Sequence, residues 1–129
     1  MSLNDFSPRY LRLERRGEAI VVGVEVALLT EDMNLEQFGH ELFALVEQFG
    51  CRKLVVSMQN VKMVTSGGLG KMITIHRKMH RHQGHVVFCD VQPDVADILD
   101  TSRLITYLHV EPTVDAALAK LPPDQTGTA

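Results

Sequence analysis

The sequence predicts a single α/β domain, a mixed sheet of about five strands layered with about four helices in the order β-β-α-β-α-β-α-β-α. Three observations predict it. Ile20, Val22, Val24 and Val26 recur with period two, the mark of a strand with one buried face. Leu54-Val55-Val56 and Val86-Val87-Phe88-Cys89 are short unbroken apolar runs, as strands buried on both faces are. The stretches between and after them carry apolar residues at helical spacing, and helices alternating with buried strands imply parallel pairing.

The elements follow in order. Tyr10, Leu11 and Leu13 open a first strand, and Gly17 lies inside the charged patch Glu14-Arg15-Arg16-Gly17-Glu18, which predicts a turn into the second strand and hence an opening hairpin. Asn34, with Gln37 three residues on, reads as a capping box. Leu35, Phe38, Leu42, Leu45, Val46 and Phe49 then mark an amphipathic helix stopped by Gly50. After the Leu54–Val56 strand comes a loop, then a second helix expected from about Gly67 to Gln83, with Leu69, Met72, Ile73, His76 and Met79 inward and Gly84 at its end. Pro93 suits the first turn of a third helix carrying Val95, Ile98 and Leu99. Ile105 to Val110 reads as a last short strand, and Thr113 to Leu121 as a closing helix with Val114, Ala117, Leu118 and Leu121 on one side.

Residues 9–121 are therefore read as one domain, residues 1–8 as a flexible N-terminus, and the Pro-Pro-Asp-Gln-Thr-Gly-Thr-Ala tail, 122–129, as disordered. With 129 residues the chain can bury a real core. Tryptophan is absent and aromatics are 5%, so that core must rest on Val, Leu, Ile and Met. The formal charge of −3 gives no reason to expect nucleic acid as a partner. No run of eighteen apolar residues exists to cross a membrane, and the polar N-terminus lacks the apolar core of a signal peptide. Cys51 and Cys89 each adjoin an apolar run and read as buried free thiols, consistent with a reducing, cytoplasmic compartment.

Chemistry concentrates at Thr65-Ser66-Gly67-Gly68-Leu69-Gly70-Lys71, which joins a strand-like segment to a helix. Ser66 falls where an N-cap belongs, and its hydroxyl can serve simply as that cap. The same place also suits a phosphate, because a helix start has free N–H groups and partial positive charge. A phosphate on Ser66 would turn a neutral surface anionic, and the glycines would keep that surface low for a partner's backbone. A nucleotide loop is disfavoured: Gly70-Lys71 is followed by Met72, and Thr65 stands where a phosphate loop's leading glycine belongs. The histidine-rich run His76 to His85 lacks the His-Glu-x-x-His pattern and any carboxylate or cysteine to complete a ligand set. It reads as a cationic last turn that complements the helix dipole. Asp90 ends a strand, where a lone Asp is most simply a turn former. No nucleophile has a base in a recognisable pattern, so neither an enzyme nor a cofactor is expected.

The strand Leu54–Val56, the segment Val61–Val64, the Thr65–Gly70 motif, the strand Val86–Cys89, the helix near Asp94–Leu99 and then Ser102-Arg103-Leu104 together resemble the STAS domain, the family of the bacterial anti-sigma factor antagonists. The resemblance covers roughly Arg9 to Leu121. It implies a regulatory module that binds an anti-sigma factor that is also a serine kinase, and that is released by phosphorylation of the serine in an Asp-Ser-Ser/Thr-Gly-Leu-Gly motif. Ser66 matches that serine. Thr65 stands in place of the Asp and is an alternative acceptor, and Gly67 replaces the second hydroxyl residue. The partner face implied is the ridge Thr65, Ser66, Gly67, Gly68, Leu69, Gly70 and Lys71, with a homodimer as a further expectation. The alternatives left open are an unphosphorylated scaffold domain of the same fold and a small-ligand or nucleotide binder.

Overall fold

The computed structural model describes residues 3–31 and 35–123. Its centre is a five-stranded sheet built from β1 (Leu11–Arg16), β2 (Ala19–Val24), β4 (Lys53–Ser57), β6 (His85–Cys89) and β7 (Val110–Glu111), in the spatial order β1-β2-β4-β6-β7. β1 and β2 form the expected antiparallel hairpin, Arg16 opposite Ala19, and Gly17 takes φ +62, the left-handed value this two-residue turn needs at its first position. All other neighbours pair in parallel: Val22 with Val56, Val55 with Val87, Phe88 with Val110.

Side-chain alternation along the parallel strands fills two cores. Ile20, Val22, Val24, Leu54, Val56, Val86 and Phe88 point to one face, where they meet α1 (Leu35–Glu47), α2 (Ser66–Arg81) and α3 (Pro93–Thr101) through Phe38, Leu42, Leu45, Met72, Ile75, Met79, Val95 and Leu99. Ala19, Val21, Val55, Val87 and Cys89 point to the other, and a single short helix, α5 (Val114–Lys120), covers them with Ala117. The helices thus divide unequally between the faces. Thr113 caps α5 by accepting the Ala116 N–H at 3.0 Å. Both cysteines are buried, and burial pushes the Cys51 thiol up to about 11 and the Cys89 thiol up to about 12.

Four expectations need correction. First, Ile105–Val110 is not one strand: Leu104–Tyr107 forms a helical turn, α4, and only Val110–Glu111 pairs as β7. Arg103 precedes that turn at φ +64, so the chain breaks there before any strand can run. Second, the inward face of α2 is Gly68, Met72, Ile75 and Met79, while Leu69, Ile73 and His76 are only half-buried along its edge. Third, α2 closes on Gln83 at φ +61 rather than on Gly84, whose N–H donates to the Met79 carbonyl at 2.7 Å. Fourth, two additional short strands, β3 (Leu28–Leu29) and β5 (Met63–Val64), pair in parallel apart from the main sheet.

The expected capping role of Asn34 lies outside the described residues, as does 124–129. Gln37 donates its side-chain amide to Glu41 at 3.0 Å. Glu41 is buried on α1 and also accepts the backbone N–H groups of Arg9 and Tyr10, both at 2.9 Å, which ties the start of the domain to the helix. Ahead of it, Leu3–Asp5 form one 3-10 turn, and the rings of Phe6 and Phe49 lie 5.2 Å apart.

Candidate functional site

The small β3–β5 pair places the site. The Lys62 and Met63 N–H groups donate to the Ala27 carbonyl, and the Thr65 N–H donates to the Leu29 carbonyl at 3.0 Å. These bonds hold the connection entering α2 flat against the one leaving β2, so that Glu31 comes to stand beside the first turn of α2.

Thr65, not Ser66, is the N-cap residue, with extended φ −98 and ψ −179. Its side chain makes no capping bond to the helix. Ser66 is the first helical residue and is exposed. The cap comes instead from Glu31. One carboxylate oxygen accepts the Gly67 N–H at 3.0 Å and the Ser66 hydroxyl at 3.5 Å, and the other accepts the Thr65 hydroxyl at 2.5 Å. Among the described residues no basic side chain is paired with Glu31. The Thr65 hydroxyl, followed by the backbone N–H of Glu31 itself and that of Gly67, holds the carboxyl below the ordinary glutamate value. A helix start with orphan N–H groups and partial positive charge gives that anion its favoured seat.

The glycines also answer to packing: Gly67 is half-buried and Gly68 is buried. A Cβ on Gly67 would lie 2.7 Å from Leu35 Cδ1 and 2.9 Å from Glu31 Oε1. A Cβ on Gly68 would lie 2.5 Å from the Leu29 carbonyl oxygen, so glycine is what lets α2 approach β3. Of the three motif glycines, only Gly70 is exposed with open space above it. Leu69 is half-buried, and its N–H donates to the Thr65 carbonyl at 2.9 Å. Lys71 runs its stem along Gly39 of α1, with its ammonium 5.8 Å from the centre of the Phe43 ring.

Three residues at this place have no signal in the local motif: Glu31, Leu28 and Met63. Leu28 and Met63 are register partners on the β3–β5 pair and are 52% and 46% exposed, two of the three large apolar side chains so exposed among the described residues. They form an apolar step immediately before Thr65 and Ser66.

The other sequence candidates sit elsewhere. His76 is half-buried, its ring centre 4.8 Å from that of Tyr107, and its Nδ1 is buried with no partner. Burial, then His80, pushes its pKa down. Among the described residues no three His, Cys, Asp or Glu side chains gather to hold a metal. Asp90 turns the chain after β6 at φ +56 and accepts the Ser57 hydroxyl at 2.8 Å. No described helix is long and apolar enough to cross a membrane.

Comparison with known proteins agrees with this architecture. The family model described as the STAS domain matches residues 10–117. BtrV of Bordetella bronchiseptica, named for anti-sigma factor antagonism, is 28% identical over 86 residues, spanning 67% of this chain and 73% of BtrV. The fold is shared with an anti-sigma factor antagonist from Mycobacterium paratuberculosis at TM-score 0.75 and 19% identity, covering 86% of this chain and 92% of that one. It is also shared with Bacillus SpoIIAA in its phosphorylated form, at TM-score 0.63 and 16% identity, covering 84% of this chain and 96% of that one.

Proposed function

The chain belongs to the STAS domain family, and on that premise we propose that it is an anti-sigma factor antagonist, a regulatory module without catalysis that binds an anti-sigma factor acting as a serine kinase and is switched at Ser66. The observation that carries this reading is the placement of Ser66: an exposed hydroxyl on the first residue of a sixteen-residue helix, next to the exposed Leu28–Met63 step. An apolar step beside a small polar residue suits a protein partner, which buries the former and excludes water from the latter. Phosphorylation forms the Ser66 Oγ–phosphorus bond, breaks the bond between the γ-phosphorus of ATP and the β-bridging oxygen, and releases the hydroxyl proton. It sets a charge near −2 in the middle of that surface. A partner seated there then faces a desolvation cost and repulsion. Ser66 is a better acceptor than Thr65, because the Thr65 hydroxyl is half-buried and within reach of both Glu31 and the Leu29 carbonyl.

The test is capture of the partner from the native cell with the chain as bait, then titration calorimetry with the purified partner. Ser66→Ala is expected to retain wild-type affinity, and Ser66→Asp to lose at least about tenfold, or about 1.4 kcal/mol. Equal affinities for wild type and Ser66→Asp would refute the switch. An unswitched interaction domain of the same fold is favoured by one observation, that a carboxylate already occupies the Gly67 N–H. Its signature is an unchanged intact mass after incubation with the partner kinase and ATP.

A further inference from the structure

The Ser66 site already contains an anion. In the chain as it stands, the Glu31 carboxylate takes the Gly67 N–H at 3.0 Å, and the same oxygen is 3.5 Å from Ser66 Oγ. Of the N–H groups at the helix start that lack an intrahelical acceptor, that of Thr65 goes to the Leu29 carbonyl and that of Gly67 to Glu31. A phosphorus bonded to Ser66 Oγ brings three further oxygens into the space that Glu31 fills, carrying charge of the same sign. Among the described residues no lysine or arginine is paired with Glu31 to offset the accumulation. Gly67 has no room to yield, since even a Cβ there would touch Leu35 and Glu31. The two like charges repel, and the phosphate, with the larger charge and its tether on the helix itself, is the one that keeps the position.

We propose that Glu31 is the resident anion of the Ser66 site and that a phosphate on Ser66 displaces it from the Gly67 N–H. The inference rests on Ser66 being the modified residue. It adds that the switch changes the surface in two places: a dianion arrives on α2, and a carboxylate swings away from Thr65, three residues along the chain from the exposed Leu28. Glu31 is a positioning residue here. While seated it orients the Thr65 and Ser66 hydroxyls, the task that the motif's Asp, replaced by Thr65, does not perform in this chain.

The experiment uses the full chain with phosphoserine incorporated at position 66, the unmodified chain, and Glu31→Gln in both forms, followed by NMR of the Glu31 side-chain carboxyl and the Gly67 amide through a pH titration. In the unmodified chain the Glu31 midpoint is expected below the ordinary glutamate value, and the Gly67 amide shift is expected to follow it. In Glu31→Gln that acid-range shift is expected to vanish. With phosphoserine at 66, the Glu31 midpoint is expected to rise to the ordinary value or above, and the Gly67 amide to follow the phosphate instead, near pH ~6. A Glu31 midpoint that stays depressed beside phosphoserine overturns the proposal. So does a Gly67 amide that ignores Glu31 in the unmodified chain, or one that shifts equally in Glu31→Gln. Partner affinity, measured separately on the phosphoserine chain, tests the switch itself. Full displacement with unchanged affinity would sink the switching reading and leave the displacement standing, and lost affinity with Glu31 still seated would do the reverse.

Discussion

Leu29 presents its carbonyl oxygen 2.5 Å from the point where a side chain on Gly68 would begin. The close approach of α2 to β3 therefore depends on a missing methyl group. Gly68→Ala is expected to force the helix start away from β3 and to cost about 1–3 kcal/mol, as overpacking does. Gly70, two residues on, meets nothing, so Gly70→Ala is expected to stabilise by about 0.5–1 kcal/mol through helix propensity alone. Urea unfolding of the two variants checks the pair, and two shifts of the same sign would contradict the packing described.

Arg103 occupies a left-handed conformation between α3 and α4, at φ +64 with its side chain exposed. A side chain in that region costs roughly 1–2 kcal/mol. Arg103→Gly is expected to recover about 1 kcal/mol, reduced by the greater freedom of the unfolded glycine chain. Thermal unfolding reads the change, and a lowered midpoint would mean that the guanidinium contributes to the turn.

His76 is expected to make the stability of the domain depend on pH. Its folded pKa lies below the ordinary 6.5 because burial, and then His80, disfavour the charged ring. His80, His85 and His109 line the same cleft, and the Glu111 carboxylate lies 2.9 Å from His109 rather than on His76. Between the folded and unfolded values the unfolded chain binds the extra proton, so the stability His76 contributes is complete above about 6.5 and is lost as pH falls through the folded value. His76→Phe keeps a ring against Tyr107 and removes the titration. Urea midpoints are expected to fall less steeply between pH ~7.5 and pH ~5.5 in the variant than in the wild type.

Much of this fold was legible because its central strands bury both faces. Val55 and Val56 face different cores, so an unbroken apolar run was the right signal for them. Harder to read were features with no period. β3 and β5 are two residues each, too short for alternation. The burial of Gly68 carries no hydrophobic mark, which is why the inward face of α2 was placed one step off. Arg103 and Gln83 hold conformations that composition would assign to glycine. At the site, Ser66 was visible as a hydroxyl at a helix start. Glu31 was not, because its bond to Gly67 spans 36 residues of chain and depends on the β3–β5 pair, itself unseen.

The sheet's two margins bear on how such a domain behaves among many copies of itself. β1 lines one margin with Arg12, Glu14, Arg15 and Arg16, all exposed, and β7 closes the other with only two residues. Charged or very short borders give an incoming strand nothing to zip onto. Fibre-like stacking through backbone pairing is thereby discouraged, and contact between crowded copies is left to helices and turns.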